Sequence, residues 1–184
     1  PFRLETWQRE IVAALFGQKD TATGLRRYRR AYIEVPRGNG KSTWAAGIAL
    51  LMLLADNEPA AEIFGAAADR EQARLVFDAA KAMVEDAPYL RKLVKIYRHS
   101  IVVESTRSTY RVLSADAYTK HGLNPHGIIF DELHAQANRD LYDVLNTAMG
   151  KRAQPLMIMI TTAGYDRNSI CWQQHEYARQ VLAG

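Results

Sequence analysis

Val35-Pro36-Arg37-Gly38-Asn39-Gly40-Lys41-Ser42-Thr43 packs two glycines, an amine and two hydroxyls into one short stretch. Glycines at 38 and 40 let backbone N–H groups turn inward around phosphate oxygens, where a Cβ would block close approach. Lys41 would reach the β and γ phosphates as a point charge, and the Ser42 hydroxyl suits Mg²⁺. Val35 stands where such loops usually begin with glycine, so the stretch is a variant of the phosphate-loop pattern. A second stretch, Gly127-Ile128-Ile129-Phe130-Asp131-Glu132, is an apolar run ending in two carboxylates. Asp131 suits the Mg²⁺ shell, holding it indirectly through water or through Ser42, and Glu132 suits a base that orients a water for in-line attack on a γ-phosphate. The second carboxylate favours hydrolysis over phosphoryl transfer to a small molecule. A third, Thr161-Thr162-Ala163-Gly164, offers hydroxyls that would bond the γ-phosphate or simply cap a turn.

These groups meet only if the chain alternates strands and helices. Ala31 to Val35 reads as a β run feeding the glycine-rich turn, and Lys41 to Ala55 as an apolar helix whose positive dipole end faces the loop. Ala61 to Ala66, Gly127 to Phe130 and Leu156 to Ile160 read as buried strands, the last two apolar throughout as in a parallel sheet. Leu4 to Phe16, Asp140 to Met149 and Ser169 to Leu182 carry helical spacing. Asp69 with Gln72 reads as the capping start of a helix whose stripe is Ala73, Val76, Phe77, Ala80 and Met83, and Pro88 as its exit. Ile101 to Glu104 and Thr109 to Leu113 read as a hairpin. This order predicts an α/β fold on a mostly parallel sheet, with ligands at the carboxyl ends of its strands.

Composition agrees. The 184 residues, 48% hydrophobic and 24% charged, fit one domain with a real core and exclude disordered or collagen-like classes. The longest apolar run, Ala45 to Ala55, is far shorter than the roughly 20 residues of a membrane span. Cys171 is the one cysteine, which points to a reducing compartment. A net charge of +4 hints only mildly at an acidic partner. Met149, Met157 and Met159 read as core.

Val35 to Ser42, Ile128-Ile129-Phe130-Asp131-Glu132-Leu133-His134 and Thr161-Thr162-Ala163, in this order, resemble the ATPase domain of the large terminase subunit of tailed double-stranded DNA phages. Leu4-Glu5-Thr6-Trp7-Gln8 and Lys120-His121-Gly122-Leu123-Asn124-Pro125 add to the likeness, which spans essentially the whole chain. The resemblance implies a RecA-like P-loop NTPase fold of the additional-strand, catalytic-glutamate class, with helices on both faces of one sheet and a single domain over residues 1–184. It implies Mg²⁺-dependent ATP hydrolysis that drives viral DNA into a procapsid. ATP would lie on Pro36, Arg37, Gly38, Asn39, Gly40, Lys41, Ser42 and Thr43, with Gln8 reading adenine. Arg37 would join Lys41 and Glu132 at the γ-phosphate, Ser42 and Asp131 would hold the metal, and Thr161, Thr162 and Ala163 would form the coupling motif. Implied partners are double-stranded DNA, a portal protein, the small terminase subunit and further copies in a ring, of five by the family pattern, in the host bacterial cytoplasm. Lys120 and His121 stand where some relatives carry a trans-acting arginine; a neutral imidazole would be weak there. The lid and RNase H-like nuclease domains of the family have no counterpart within the 184 residues, so no DNA cleavage is expected from them.

Basic residues give the remaining expectations. Arg26-Arg27-Tyr28-Arg29-Arg30 reads first as a solvated basic loop and second as a DNA contact. Arg91, Lys92 and Lys95, with Arg107 and Arg111 of the hairpin, are the better candidates for gripping backbone phosphates. The rival readings are one RecA-like half of a helicase, suggested by Asp131-Glu132-Leu133-His134, and a nucleotide-gated scaffold that never turns over.

Overall fold

The computed structural model describes residues 2–68, 70–113, 122–136, 138–164 and 166–184. Their elements run α1 (Thr6–Gly17), β1 (Arg30–Glu34), α2 (Lys41–Leu54), β2 (Glu62–Ala66), α3 (Arg70–Asp86), α4 (Pro88–Leu93), β3 (Lys95–Ile96), β4 (Ser100–Val103), β5 (Ser108–Val112), β6 (Pro125–Asp131), α5 (Asp140–Ala148), β7 (Leu156–Thr161) and α6 (Ile170–Ala183). The strands form one seven-stranded sheet in the order β1-β7-β6-β2-β5-β4-β3. β1, β7, β6, β2 and β5 are parallel, and β4 and β3 extend that sheet as antiparallel neighbours.

Side-chain alternation divides the core between the two faces of the sheet. Ile129, Leu156, Ile158 and Ile160 pack on one face with Trp44, Ile48 and Leu53 of α2 and Val76, Phe77 and Ala80 of α3. Ile128, Phe130, Met157 and Met159 pack on the other with Leu141 and Leu145 of α5 and Ile170 and Cys171 of α6. Every residue of β6 and β7 is buried, as strands covered on both faces require. The three methionines and Cys171 are core residues. No helix among the described residues is long and apolar enough to cross a membrane.

Three local expectations change. Pro88 does not merely end α3 but opens α4, at a first-turn position where its missing N–H costs nothing. β3 is only two residues long and gives almost no periodic signal. The basic run is largely tied down: Arg26 is 7% exposed and pairs with Asp56, Arg29 donates to Ala153 O (2.6 Å), and Arg30 donates to Asn146 Oδ1 (2.6 Å). Stem burial and carbonyl acceptors outcompete solvation there, so neither a solvated loop nor a DNA grip describes Arg26. Asp69, the expected cap of α3, lies outside the described residues.

Candidate active site

β7 separates the strand that feeds the glycine loop from the strand that ends in the acid pair. Register keeps the three strand ends level: Glu34 lies opposite Thr161, and Ile160 opposite Asp131. Backbone bonds continue past the strands, from Val35 N to Thr161 O (3.1 Å) and from Glu132 N to Ile160 O (2.9 Å). The loop is therefore locked to β7, and β7 to the acid pair.

The loop itself turns through Gly38 (φ 83°) and Gly40 (φ 66°), in the left-handed region where a side chain is strained. The Asn39 amide donates to Pro36 O (3.1 Å) and Arg37 O (3.4 Å), so its side chain braces the turn. Gly40 is the N-cap of the 14-residue α2 and has no side chain to satisfy the first helical N–H groups, which suits an anion there.

Lys41, though nearly buried at 7% exposure, lies 3.5 Å from both Glu132 Oε1 and Val35 O. Ser42 Oγ donates to Asp131 Oδ2 over 3.4 Å. Asp131 Oδ1 is buried and has no hydrogen-bond partner. Burial, with the Glu132 charge next in importance, pushes the Asp131 carboxyl up to about 6, against the pull of Ser42 and Lys41. An orphaned hard oxygen beside a hydroxyl is a donor set that fits Mg²⁺, which would both satisfy it and favour its charged form. Glu132 has left-handed backbone (φ 52°, ψ 57°), a conformation costing about 1–3 kcal/mol that clusters at functional sites. That turn ends β6 and starts the 3₁₀ segment Leu133–Ala135.

Gln8 is 3% exposed, not on an outer helix face. Its Oε1 accepts from Glu5 N (2.9 Å), half of a capping box that starts α1. It shares the lining of a pocket of about 430 Å³ with Trp7, Gly38, Asn39 and Gly40. Arg37 is exposed and lines a second cavity, about 470 Å³, with Glu34, Pro36, His134, Thr162 and Ala163. Thr43 instead borders the apolar cleft between α2 and α3.

One group was legible only as the fourth letter of the Asp131-Glu132-Leu133-His134 string. His134 Nδ1 lies 3.0 Å from Thr161 Oγ1, 3.4 Å from Thr162 Oγ1 and 3.1 Å from Glu132 Oε2. The first two are hydrogen bonds, whereas Glu132 Oε2 is out of line for one. Thr161 is fully buried and Thr162 faces the Arg37 cavity.

The DNA candidates lie elsewhere. Lys95 pairs with Glu104 (2.7 Å), and Arg111 pairs with Glu62 (3.4 Å) and stacks over Phe64. Arg91, Lys92 and Arg107 are exposed on α4 and the hairpin turn. Lys120 and His121 lie outside the described residues.

A glycine loop capping α2, a lysine and a Ser–Asp pair at the carboxyl end of a parallel sheet define a P-loop NTPase, and the interposed β7 places it in the additional-strand class. Comparison with known proteins agrees. Residues 6–180 match the family model for the ATPase domain of the terminase large subunit, so the chain belongs to that family. It is 32% identical over 167 residues to the terminase large subunit of Enterobacteria phage HK97, covering 88% of this chain and 32% of the relative. It also superposes on the crystal structure of the HK97 large terminase with a TM-score of 0.85 and 29% identity, covering 98% of this chain and 38% of that one. The ATPase domain of the Thermus phage P74-26 large terminase shares the fold at a TM-score of 0.62 and 20% identity, over 85% of this chain and 70% of that one. The chain thus spans about a third of the length of the HK97 relative it matches.

Proposed function

We propose that this domain hydrolyses ATP to ADP and phosphate and that the cycle drives double-stranded DNA into a viral procapsid. The convergence of Lys41, Ser42, Asp131 and Glu132 at one end of the sheet carries the reading. The triphosphate would lie along residues 36–43, its oxygens facing the loop N–H groups and the uncapped start of α2. Ser42 and Asp131 would hold Mg²⁺, which when bound neutralises charge on the phosphate oxygens. Lys41 would leave the Glu132 carboxylate for the γ-phosphate, and Glu132 would then accept the proton of the attacking water. Arg37 would contact the γ-phosphate from the loop, and Gln8 would face the adenine from its pocket. Thr161 and Thr162 would register whether the γ-phosphate is present. Family membership supports the remaining assignments: portal, small terminase subunit and sister copies as partners, in the host cytoplasm on the procapsid. Of the DNA candidates, Arg91, Lys92 and Arg107 are the more available, because Lys95 and Arg111 already hold carboxylates.

The deciding experiment compares Glu132→Gln with the parent chain. Affinity for a non-hydrolysable ATP analogue should stay within about twofold, while phosphate release should fall roughly 10²–10⁴-fold, the usual worth of a general base. Undiminished turnover in the variant would remove Glu132 as the base, whereas analogue binding with no phosphate release from the parent chain would leave the scaffold reading.

A further inference from the structure

Resting on Glu132 as the base, we propose that His134 is a positioning residue whose single Nδ1–H passes between Thr161 and Glu132, so that the β7 hydroxyls set the aim of the carboxylate. Proton accounting points to one tautomer. The one hydroxyl hydrogen of Thr161 goes to Thr162 O (2.9 Å), and its oxygen also accepts from His134 N (3.2 Å). Toward Nδ1, 3.0 Å away, that oxygen then offers a lone pair, which favours a hydrogen on Nδ1 that also faces Thr162 Oγ1 at 3.4 Å. The neighbours agree: a carboxylate oxygen 3.1 Å from a bare imidazole lone pair would be repelled, whereas an N–H draws it in.

The donor thus faces Thr161 Oγ1 and Glu132 Oε2 at nearly equal range, with Thr162 Oγ1 farther off at 3.4 Å, and it is aligned with the threonines and out of line with Glu132. When a γ-phosphate in the Arg37 cavity recruits the Thr162 hydroxyl, buried Thr161 Oγ1, which donates to Thr162 O, moves with it and the N–H swings onto Glu132 Oε2. No proton changes owner; one hydrogen bond is exchanged for another. The exchange also replaces the hold that Lys41 has on the other carboxylate oxygen, since the same phosphate draws that ammonium away. Glu132 is then anchored through a single N–H and keeps its other oxygen free to take a proton. Its left-handed backbone places the carboxylate within reach of both partners.

The test uses the full chain. His134→Ala should lower kcat about tenfold to a hundredfold, the scale of a misaimed catalytic group, with the Kd for a non-hydrolysable ATP analogue unchanged. His134→Asn puts an amide N–H at the Nδ1 position and should recover most of the loss. Nitrogen-15 NMR of the parent chain, with His134→Asn used to identify the signal, should show His134 protonated at Nδ1. Parent-like turnover in His134→Ala, no recovery in His134→Asn, a parallel loss of analogue binding, or an Nε2–H tautomer would each overturn the proposal. Glu132→Gln in the same assay tells the two readings apart. Activity in that variant removes the base assignment, whereas its inactivity beside a fully active His134→Ala removes only the role of His134.

Discussion

Charges gather at both ends of the sheet and are treated in opposite ways. At the amino end, Arg26, Asp56, Glu58, His126 and Arg152 form a connected network of ion pairs, with Arg26 Nε and His126 Nδ1 the atoms it leaves without a hydrogen bond. Arg26 meets Asp56 and also donates to Leu15 O (3.2 Å). His126, fully buried, meets the same Asp56 oxygen at 2.6 Å. Arg152 spans Glu58 Oε1 (2.7 Å), Pro59 O (3.1 Å), Ala60 O (2.6 Å) and Asn124 O (3.3 Å). At the carboxyl end, contacts are longer and incomplete: 3.5 Å between Lys41 and Glu132, 3.4 Å between Ser42 and Asp131, and an orphaned Asp131 Oδ1. Paired buried charge fixes where the strands and loops begin. Unfinished buried charge is a cost held ready for a ligand that completes it.

The contrast can be broken by exchanging the kind of damage done at each end. Asp56→Ala strands Arg26 and His126 together and should cost about 3–5 kcal/mol of unfolding free energy, with ATP-analogue affinity unchanged in whatever fraction stays folded. Denaturant melts and binding isotherms on the same sample check both halves. Equal losses of stability and binding would mean the two ends are not independent.

Lys41→Ala should give the reverse pattern. Removing the ammonium should weaken ATP-analogue binding roughly 10–100-fold, the worth of a charge-assisted contact, and leave the melting temperature close to that of the parent. Titration calorimetry beside a thermal melt reads both.

The smallest effect sharpens the comparison through pH. Folding raises the Asp131 carboxyl from 3.8 to about 6, so between those values the native chain holds more protons than the unfolded one. Its contribution to stability therefore falls as pH climbs through that window. Asp131→Asn should flatten this part of the pH–stability curve and raise stability at neutral pH by about 1–3 kcal/mol, while losing Mg²⁺-dependent nucleotide affinity. Melts at several pH values between 4 and 7, without added metal, follow the first effect. A curve that keeps its slope in the variant would place the titration on another group.

Much of the site was legible because its parts are local. Gly38, Gly40, Lys41 and Ser42 sit in one turn, and Asp131 and Glu132 are adjacent at the end of an apolar run, so strand-end chemistry could be read from neighbours in sequence. The hairpin, β6, β7 and α2 followed from alternation and apolar runs. The short elements α4, β3 and the 3₁₀ turn did not, since two to six residues carry too little periodicity. His134 was visible as a letter beside the acids, but its bonds are to residues 27 and 28 positions away. Within the basic run, Arg26 misled for the same reason, because it finds its acid thirty residues on, whereas residues 27–30 are exposed as a surface loop requires.

By itself, the order of residues determined an α/β chain, a phosphate-cradling turn opening a helix and two carboxylates closing a buried strand, since each depends on backbone geometry over a few residues. Only the tertiary structure decided which charges are satisfied. β7 stands between loop and acids, Glu132 turns left-handed beside Lys41, and the imidazole of His134 reaches both a threonine and the carboxylate. Desolvation and hydrogen-bond direction depend on what the whole fold packs around a group, and no local pattern encodes that surrounding.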